Sequence, residues 1–326
     1  MATFLITIDV EPDSPAWSAK LSEFHCRNIA FLDRLQEVCD RYGARPTYLT
    51  TYGVAIDTGA EKVLARLAAT GRCEIGAHLH PADTPPKLDR PHPETSIPDL
   101  PPDVKAEKFA NLHRALAEHF GAPTAFRAGR YRLDGDSVGI LERLGFTADS
   151  SVTPHVSWRL EKGPDWARAP ERPYRLSRTD PARPGDSSII EVPVTIRERR
   201  RFGIGGRRIS DLFSMPFRSL PGPVSRAFEW VRPVRPDWLR PTYLDAGALA
   251  ALMDEVLADD PDAALNMMFH SNELAPGTSP FVRTEEEARA FLARVEVACA
   301  HAAKRGAVPL TLSEAAARYA PTAPAG

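Results

Sequence analysis

Along the chain, short apolar runs alternate with longer segments whose apolar positions recur every three or four residues. Residues 3–9 are β-rich and end on an acid, Phe4-Leu5-Ile6-Thr7-Ile8-Asp9, which predicts a strand. Residues 21–42 then place Leu21, Phe24, Phe31, Leu32, Leu35, Val38, Cys39 and Tyr42 largely at helical spacing, with Gly43 as the stop. The alternation continues with strands at Pro46–Thr51, Cys73–His78, Ala125–Arg127, Phe146–Ser150, Ile189–Val194, Ala264–His270 and Ala307–Leu310. Between them lie helices at Glu61–Ala69, 103–120, Asp136–Leu144, Leu244–Leu257 and Thr284–Lys304, the first three closed by Gly71, Gly121 and Gly145.

Repeated strand–helix units predict an α/β fold with a parallel sheet, closed as a barrel or open and doubly wound. Either form gathers functional residues at the C-terminal ends of its strands. Residues 155–242 break the alternation and are rich in Arg, Pro and Trp, so they are expected to be an insertion over one rim of a single domain spanning 1–326. The chain has 31 Pro, gathered around residues 81–102 and 154–241, where long ordered loops are expected.

The formal net charge of -2 gives no basic field for nucleic acid. No stretch approaches the roughly 20 apolar residues that span a bilayer, and the first apolar run is too short for a secretory signal. The four cysteines show no CxxC spacing, which fits a reduced compartment, so a cytoplasmic protein is expected.

Chemistry-bearing residues gather where strands end. Asp9 and Glu11, two apart on a strand, project to one face. Two carboxylates there imply a cation between them, a shared proton, or simply a solvated strand end. Asp13 is a third acid or a loop cap. His78 and His80 repeat the i, i+2 spacing after an apolar strand and before a proline-rich loop. With Glu11 they make one carboxylate and two imidazoles, a donor set that leaves a metal position open for water. His270 ends another apolar run and enters the same cavity, as a proton carrier or as a hydrogen-bonded structural histidine, with Glu273 placed to orient it. Arg127 is the inward member of a further strand end and is expected to grip the catalytic acid in bidentate fashion. Arg130, Tyr131 and, less specifically, Asp149 join Glu273 as candidates for substrate contact.

Two other features compete for attention. The run Arg197-Glu198-Arg199-Arg200-Arg201, with Arg207 and Arg208, reads as a solvated hairpin surface in preference to a polyanion site, and Gly203-x-Gly205-Gly206 suits its turn. Trp158, Trp166, Trp230 and Trp238 could line a substrate cleft or a subunit interface, and oligomeric state stays open. No Gly-x-Ser-x-Gly elbow or Cys–His pairing suggests a covalent nucleophile.

Taken in order, Thr7-Ile8-Asp9-Val10-Glu11, Pro46-Thr47-Tyr48-Leu49, Glu74-Ile75-Gly76-Ala77-His78, Phe126-Arg127-Ala128-Gly129-Arg130, Asp149-Ser150-Ser151, Glu191-Val192-Pro193-Val194 and Phe269-His270-Ser271-Asn272-Glu273-Leu274 resemble the polysaccharide deacetylase family. This is the NodB-homology domain of carbohydrate esterase family four, and the WalW-like proteins are the branch most resembled. The resemblance covers most of residues 3–316 outside the Arg/Pro-rich segment. It implies a distorted (β/α) barrel of seven parallel strands and a divalent metal, zinc first, with cobalt, nickel, manganese or iron as alternatives. It also implies Asp9 as general base, Glu11 in place of the family's usual aspartate ligand, and His270 as general acid. The family's second metal-binding histidine falls four residues after the first, where this chain has Ala82, so His80 is expected to substitute.

The function expected is hydrolysis of an N-acetyl or N-formyl group on an amino sugar or surface-polysaccharide precursor. The same site would serve a deacylase or C–N hydrolase of a small non-sugar metabolite, and a degenerate site would leave a non-catalytic binding protein. A glycosidase is disfavoured, because carboxylates two residues apart on one strand do not flank a sugar at about 5–10 Å.

Overall fold

The computed structural model describes residues 1–14, 25–87, 96–200 and 234–320. Strand β1 (Thr3–Val10) is buried at every position, which explains why its sequence is mostly apolar without a polar–apolar alternation. It lies in parallel between β10 (Ala264–His270) and β2 (Thr47–Thr50), with β11 (Val308–Pro309) beside its start. From β2 the sheet continues through β3 (Glu74–Leu79), β4 (Ala125–Ala128), β5 (Ala148–Asp149) and β7 (Ile190–Glu191). These seven strands, β10-β1-β2-β3-β4-β5-β7, run parallel, and β6 (Tyr174–Arg175) adds an antiparallel edge. The sheet is a curled, distorted barrel.

Its curl leaves β7 and β10 without a ladder between them. Asn266 bridges the gap, its Nδ2 donating to Val192 O at 3.0 Å and Ser150 Oγ at 2.9 Å. Thr195 N donates to Asn266 O, and Leu239 N to Thr195 O, so these two residues help to close the wall.

Alternation sorts the barrel interior into layers. At the bottom, Leu5, Leu49, Ala125, Ala148, Ile190 and Ala264 meet Leu312, Ala315 and Ala316 of α8 (Leu312–Tyr319). Thr47 and Glu74 cap that helix, accepting from the amides of Leu312 and Ser313. A polar layer of Thr7, Arg127, Ser150 and Asn266 lies above. Gly76 has no room for a side chain: a Cβ would sit 2.7 Å from Leu49 Cδ2 and 2.9 Å from Ala125 O.

The outer helices are α1 (Leu32–Arg41), α2 (Tyr52–Ala55), α3 (Thr58–Ala68), α4 (Pro102–Phe120), α5 (Gly135–Arg143), α6 (Ala246–Asp259) and α7 (Glu285–Lys304). Asp57, Asp134, Asp245 and Thr284 cap α3, α5, α6 and α7 by accepting first-turn amides, a local choice that agrees with the global fold.

Differences from the sequence reading are local. The helix expected over 21–42 is a 3-10 turn at Arg27–Phe31 followed by α1, and residues 21–24 lie outside the described residues. Helices α2 and α8 were not anticipated. The Arg-rich run forms β8 (Ile196–Arg200), which pairs antiparallel with β9 (Val234–Trp238). Arg197 contacts Glu171 at 2.7 Å and Arg199 contacts Asp237 at 2.6 Å, so these cations face acids of their own chain. Arg201, Arg207, Arg208, the Gly203–Gly206 turn and Trp230 lie outside the described residues. Trp158, Trp166 and Trp238 are buried in the core beside α4 and α5. All four cysteines are free thiols, and no described helix is long and apolar enough to cross a membrane.

Candidate active site

The top layer of the barrel brings six expected residues together. The register pairs Asp9 with His270 and His78 with Arg127 across neighbouring strands, so four inward side chains meet at the strand ends. Glu11 and His80 follow just beyond β1 and β3.

Glu11, His78 and His80 converge on one point. His78 Nε2 and His80 Nε2 lie 3.1 and 3.0 Å from Glu11 Oε1 and 3.1 Å from each other. A tetrahedral ion with bonds of about 2.0–2.1 Å spaces its ligands by about 3.3 Å, so the donor set fits a divalent cation with little movement. The Nδ1–H of His78 donates to Arg127 O at 2.9 Å, which fixes the tautomer that presents a bare Nε2. Burial would raise the Glu11 carboxyl, but His80 and His78 hold it well below its ordinary range. Burial would also lower the proton affinity of His78, yet Asp9 and Glu11 raise it, so protons compete with a cation for this site. The ring of His80 rests against Gly129, where a Cβ would come within 3.0 Å of Nδ1 and 2.6 Å of Leu79 O.

Glu11 lies past the end of the ladder, so other groups hold its backbone. Asn28 Nδ2 donates to Glu11 O at 2.7 Å and to Ser271 Oγ at 2.8 Å, and Glu11 N donates to the same hydroxyl at 3.1 Å. Asp13 proves to be the loop cap, accepting from Arg27 and from the Asn28 amide.

Asp9 is 2% exposed. Its Oδ1 accepts from Arg127 Nη1 at 2.7 Å, while Oδ2 stands 3.6 Å from His270 Nε2 and 3.8 Å from His78 Nε2. Burial alone would raise this carboxyl; Arg127, His78 and His270 outweigh it and hold the acid ionised. The grip of Arg127 on Asp9 is not bidentate. Its fork is spread: Nη2 donates to Thr7 Oγ1 at 2.7 Å and Ser150 Oγ at 2.9 Å, and Nε to Ser150 O at 2.7 Å.

His270 is backed by a buried ion pair. Its Nδ1 lies 3.1 Å from Glu273 Oε1 and 3.0 Å from Arg240 Nη2. Arg240 and Thr242 both donate to the Glu273 carboxylate. Burial would raise Glu273, but Arg240 keeps it below the ordinary range. Glu273 thus faces the histidine from behind, in the orienting one of its two expected positions.

Three further candidates are placed differently. Arg130 is exposed on the turn after β4 and, with Tyr131, adopts a left-handed backbone, φ 55° and 58°. Such strain in non-glycine residues concentrates at functional turns. Tyr131 is buried, its hydroxyl donating to Met268 Sδ at 3.3 Å and its ring stacked on Trp158. Asp149 is not brought to the cluster. It points to the opposite strand face from Ser150, accepts from Ser151 and shares a buried pocket with Glu191, where burial raises both carboxyls.

Sequence reasoning missed Arg240, Asn28, Ser271, Thr7, Ser150 and Asn266. A polar Asn266 inside the apolar run Ala264–His270 was a readable signal. Arg240 had none.

By sequence, no family model and no curated protein matches the chain. By structure, it is similar to a candidate polysaccharide deacetylase from Mycobacterium smegmatis, at 16% identity and a TM-score of 0.56, over 97% of this chain and 90% of that one. It is also similar to a candidate glycoside hydrolase/deacetylase from Parabacteroides distasonis, at 11% identity and a TM-score of 0.62, over 97% and 71%. A GH57 branching enzyme from Thermococcus kodakaraensis aligns at 12% identity and a TM-score of 0.53, over 98% and 72%. The chain has the polysaccharide-deacetylase (NodB-homology) fold.

Proposed function

We propose that this chain is a metal-dependent hydrolase that removes an N-acyl group, acetyl or formyl, from an amino sugar or a surface-polysaccharide precursor. The observation that carries the reading is the convergence of Glu11, His78 and His80 within 3.1 Å, beside an acid held by Arg127 and a histidine held by Glu273. The names of the similar structures, a deacetylase and a hydrolase/deacetylase, support the choice of an acylated sugar.

Glu11, His78 and His80 would hold the cation, which when bound lowers the pKa of water to about 7 and polarises an acyl carbonyl. Asp9, kept ionised by Arg127, accepts a proton from water as its oxygen bonds to the acyl carbon. His270, oriented through Nδ1 by Glu273, delivers a proton from Nε2 to the nitrogen as the C–N bond breaks. An amine leaves poorly without that proton. The products are the free amino sugar and a carboxylic acid.

The test is acid release from N-acetyl- and N-formyl-hexosamine oligomers by zinc-loaded protein. Release that a chelator abolishes and added zinc restores is expected. Turnover that survives complete chelation contradicts the metal-dependent reading, and turnover only of non-sugar amides contradicts the substrate class.

A further inference from the structure

His80 stands one residue beyond the end of β3, where no strand ladder fixes it, and its side chain is 28% exposed. The segment that follows it is held from one side by α4. Lys108, in the middle of that helix, is fully buried, and its ammonium donates to three backbone carbonyls: Pro81 O at 2.9 Å, Thr84 O, and Pro86 O at 2.6 Å. One turn along, Asn111 Nδ2 donates to Pro85 O at 3.0 Å. The loop also closes on the histidine itself, with Thr84 N donating to His80 O at 3.3 Å. On its far side Asp83 accepts from the amide of Gly53.

A buried ammonium is costly unless all its protons are satisfied, and here three carbonyls of one loop satisfy them. A surface loop that needed only to be connected would not require this. Pulling four consecutive-region carbonyls toward α4 sets the direction in which the chain leaves His80, while Gly129 leaves space for the ring on the other side. We infer that Lys108, assisted by Asn111, is a positioning residue for the metal centre: by clamping residues 81–86 to α4 it places the His80 imidazole in the donor set with Glu11 and His78. The inference rests on the metal-site reading above.

The experiment measures zinc affinity by chelator competition in the full-length chain, with thermal unfolding of each metal-free variant as a control for folding. Lys108→Met is expected to weaken zinc by about 10–100-fold, the usual cost of losing an outer partner of a ligand, and Asn111→Ala by several-fold. If the lysine acts through His80, then in a His80→Ala background Lys108→Met adds less than about twofold, because coupled residues are not additive. A merely structural lysine would weaken zinc equally in both backgrounds, and that result overturns the inference. Unchanged zinc affinity in folded Lys108→Met overturns it as well while leaving the proposed function intact. If Lys108→Met does not fold, Asn111→Ala decides by the same comparison. A wild type that binds no zinc removes the metal reading itself, and with it this inference.

Discussion

Asp9→Asn is expected to lower kcat by about 10²–10⁴-fold while leaving the fold and the zinc stoichiometry unchanged, the range spanned by positioned general bases. The amide matches the carboxylate in shape and still offers Arg127 Nη1 an oxygen at the position of Oδ1, so the 2.7 Å contact survives. What disappears is the ionised Oδ2, which faces His270 and His78 and is the only oxygen of Asp9 not engaged by the guanidinium. Asp9, Glu11 and His270 also lie close enough to share an ion. Steady-state kinetics and metal analysis on the same sample separate the two roles. Loss of turnover with full zinc makes Asp9 the base; loss of zinc together with turnover makes it a ligand. Activity within about tenfold of wild type contradicts both.

Arg127→Leu is expected to cost about 3–5 kcal/mol of stability, read by urea denaturation, because it leaves a buried carboxylate without its cation. Arg127 and Asp9 are 0% and 2% exposed, so water cannot take the place of the guanidinium. Thr7 Oγ1 and both Ser150 acceptors lose a donor at the same time. Adding Asp9→Asn to this variant should restore part of the stability, since the uncompensated charge is then gone. That non-additivity distinguishes an electrostatic role from simple loss of volume. A cost below about 1 kcal/mol, or no recovery in the double variant, contradicts the account. Arg127→Leu should also be inactive, because an acid without its cation binds a proton more readily and ceases to be a base.

The legible part of this protein was written in periodicity. The long parallel strands β1 and β10 are buried throughout and mostly apolar, so a strand-ending acid or histidine stands out against them. Period-two spacing then placed Asp9 with Glu11 and His78 with His80, and the structure brings all four into one cluster with His270. Position 82 shows the same logic: Ala82 offers no donor, and the imidazole that the structure places beside Glu11 and His78 is that of His80.

Contacts without a period were not legible. Arg240 reaches Glu273 and His270 from a segment that breaks the strand–helix alternation, so nothing local marks it. Lys108 lies in an amphipathic helix, where a lysine ordinarily signals the solvent face, yet here it is fully buried against loop carbonyls. Helix α8 escaped because its buried residues include Ala315 and Ala316, which give little hydrophobic contrast. Asp149 was misplaced as a site residue because its strand is two residues long, too short for alternation to tell which face it takes.

The most direct test of the central claim is zinc content after dialysis, for wild type, His78→Ala and His80→Ala. The account predicts about one equivalent in wild type and its loss during dialysis from both variants, whose weakened binding only a competition titration still reads, since both imidazoles stand within 3.1 Å of the same Glu11 oxygen. Retention of zinc by His80→Ala would remove that residue from the ligand set, and a wild type that binds none after reconstitution would contradict the hydrolase reading outright.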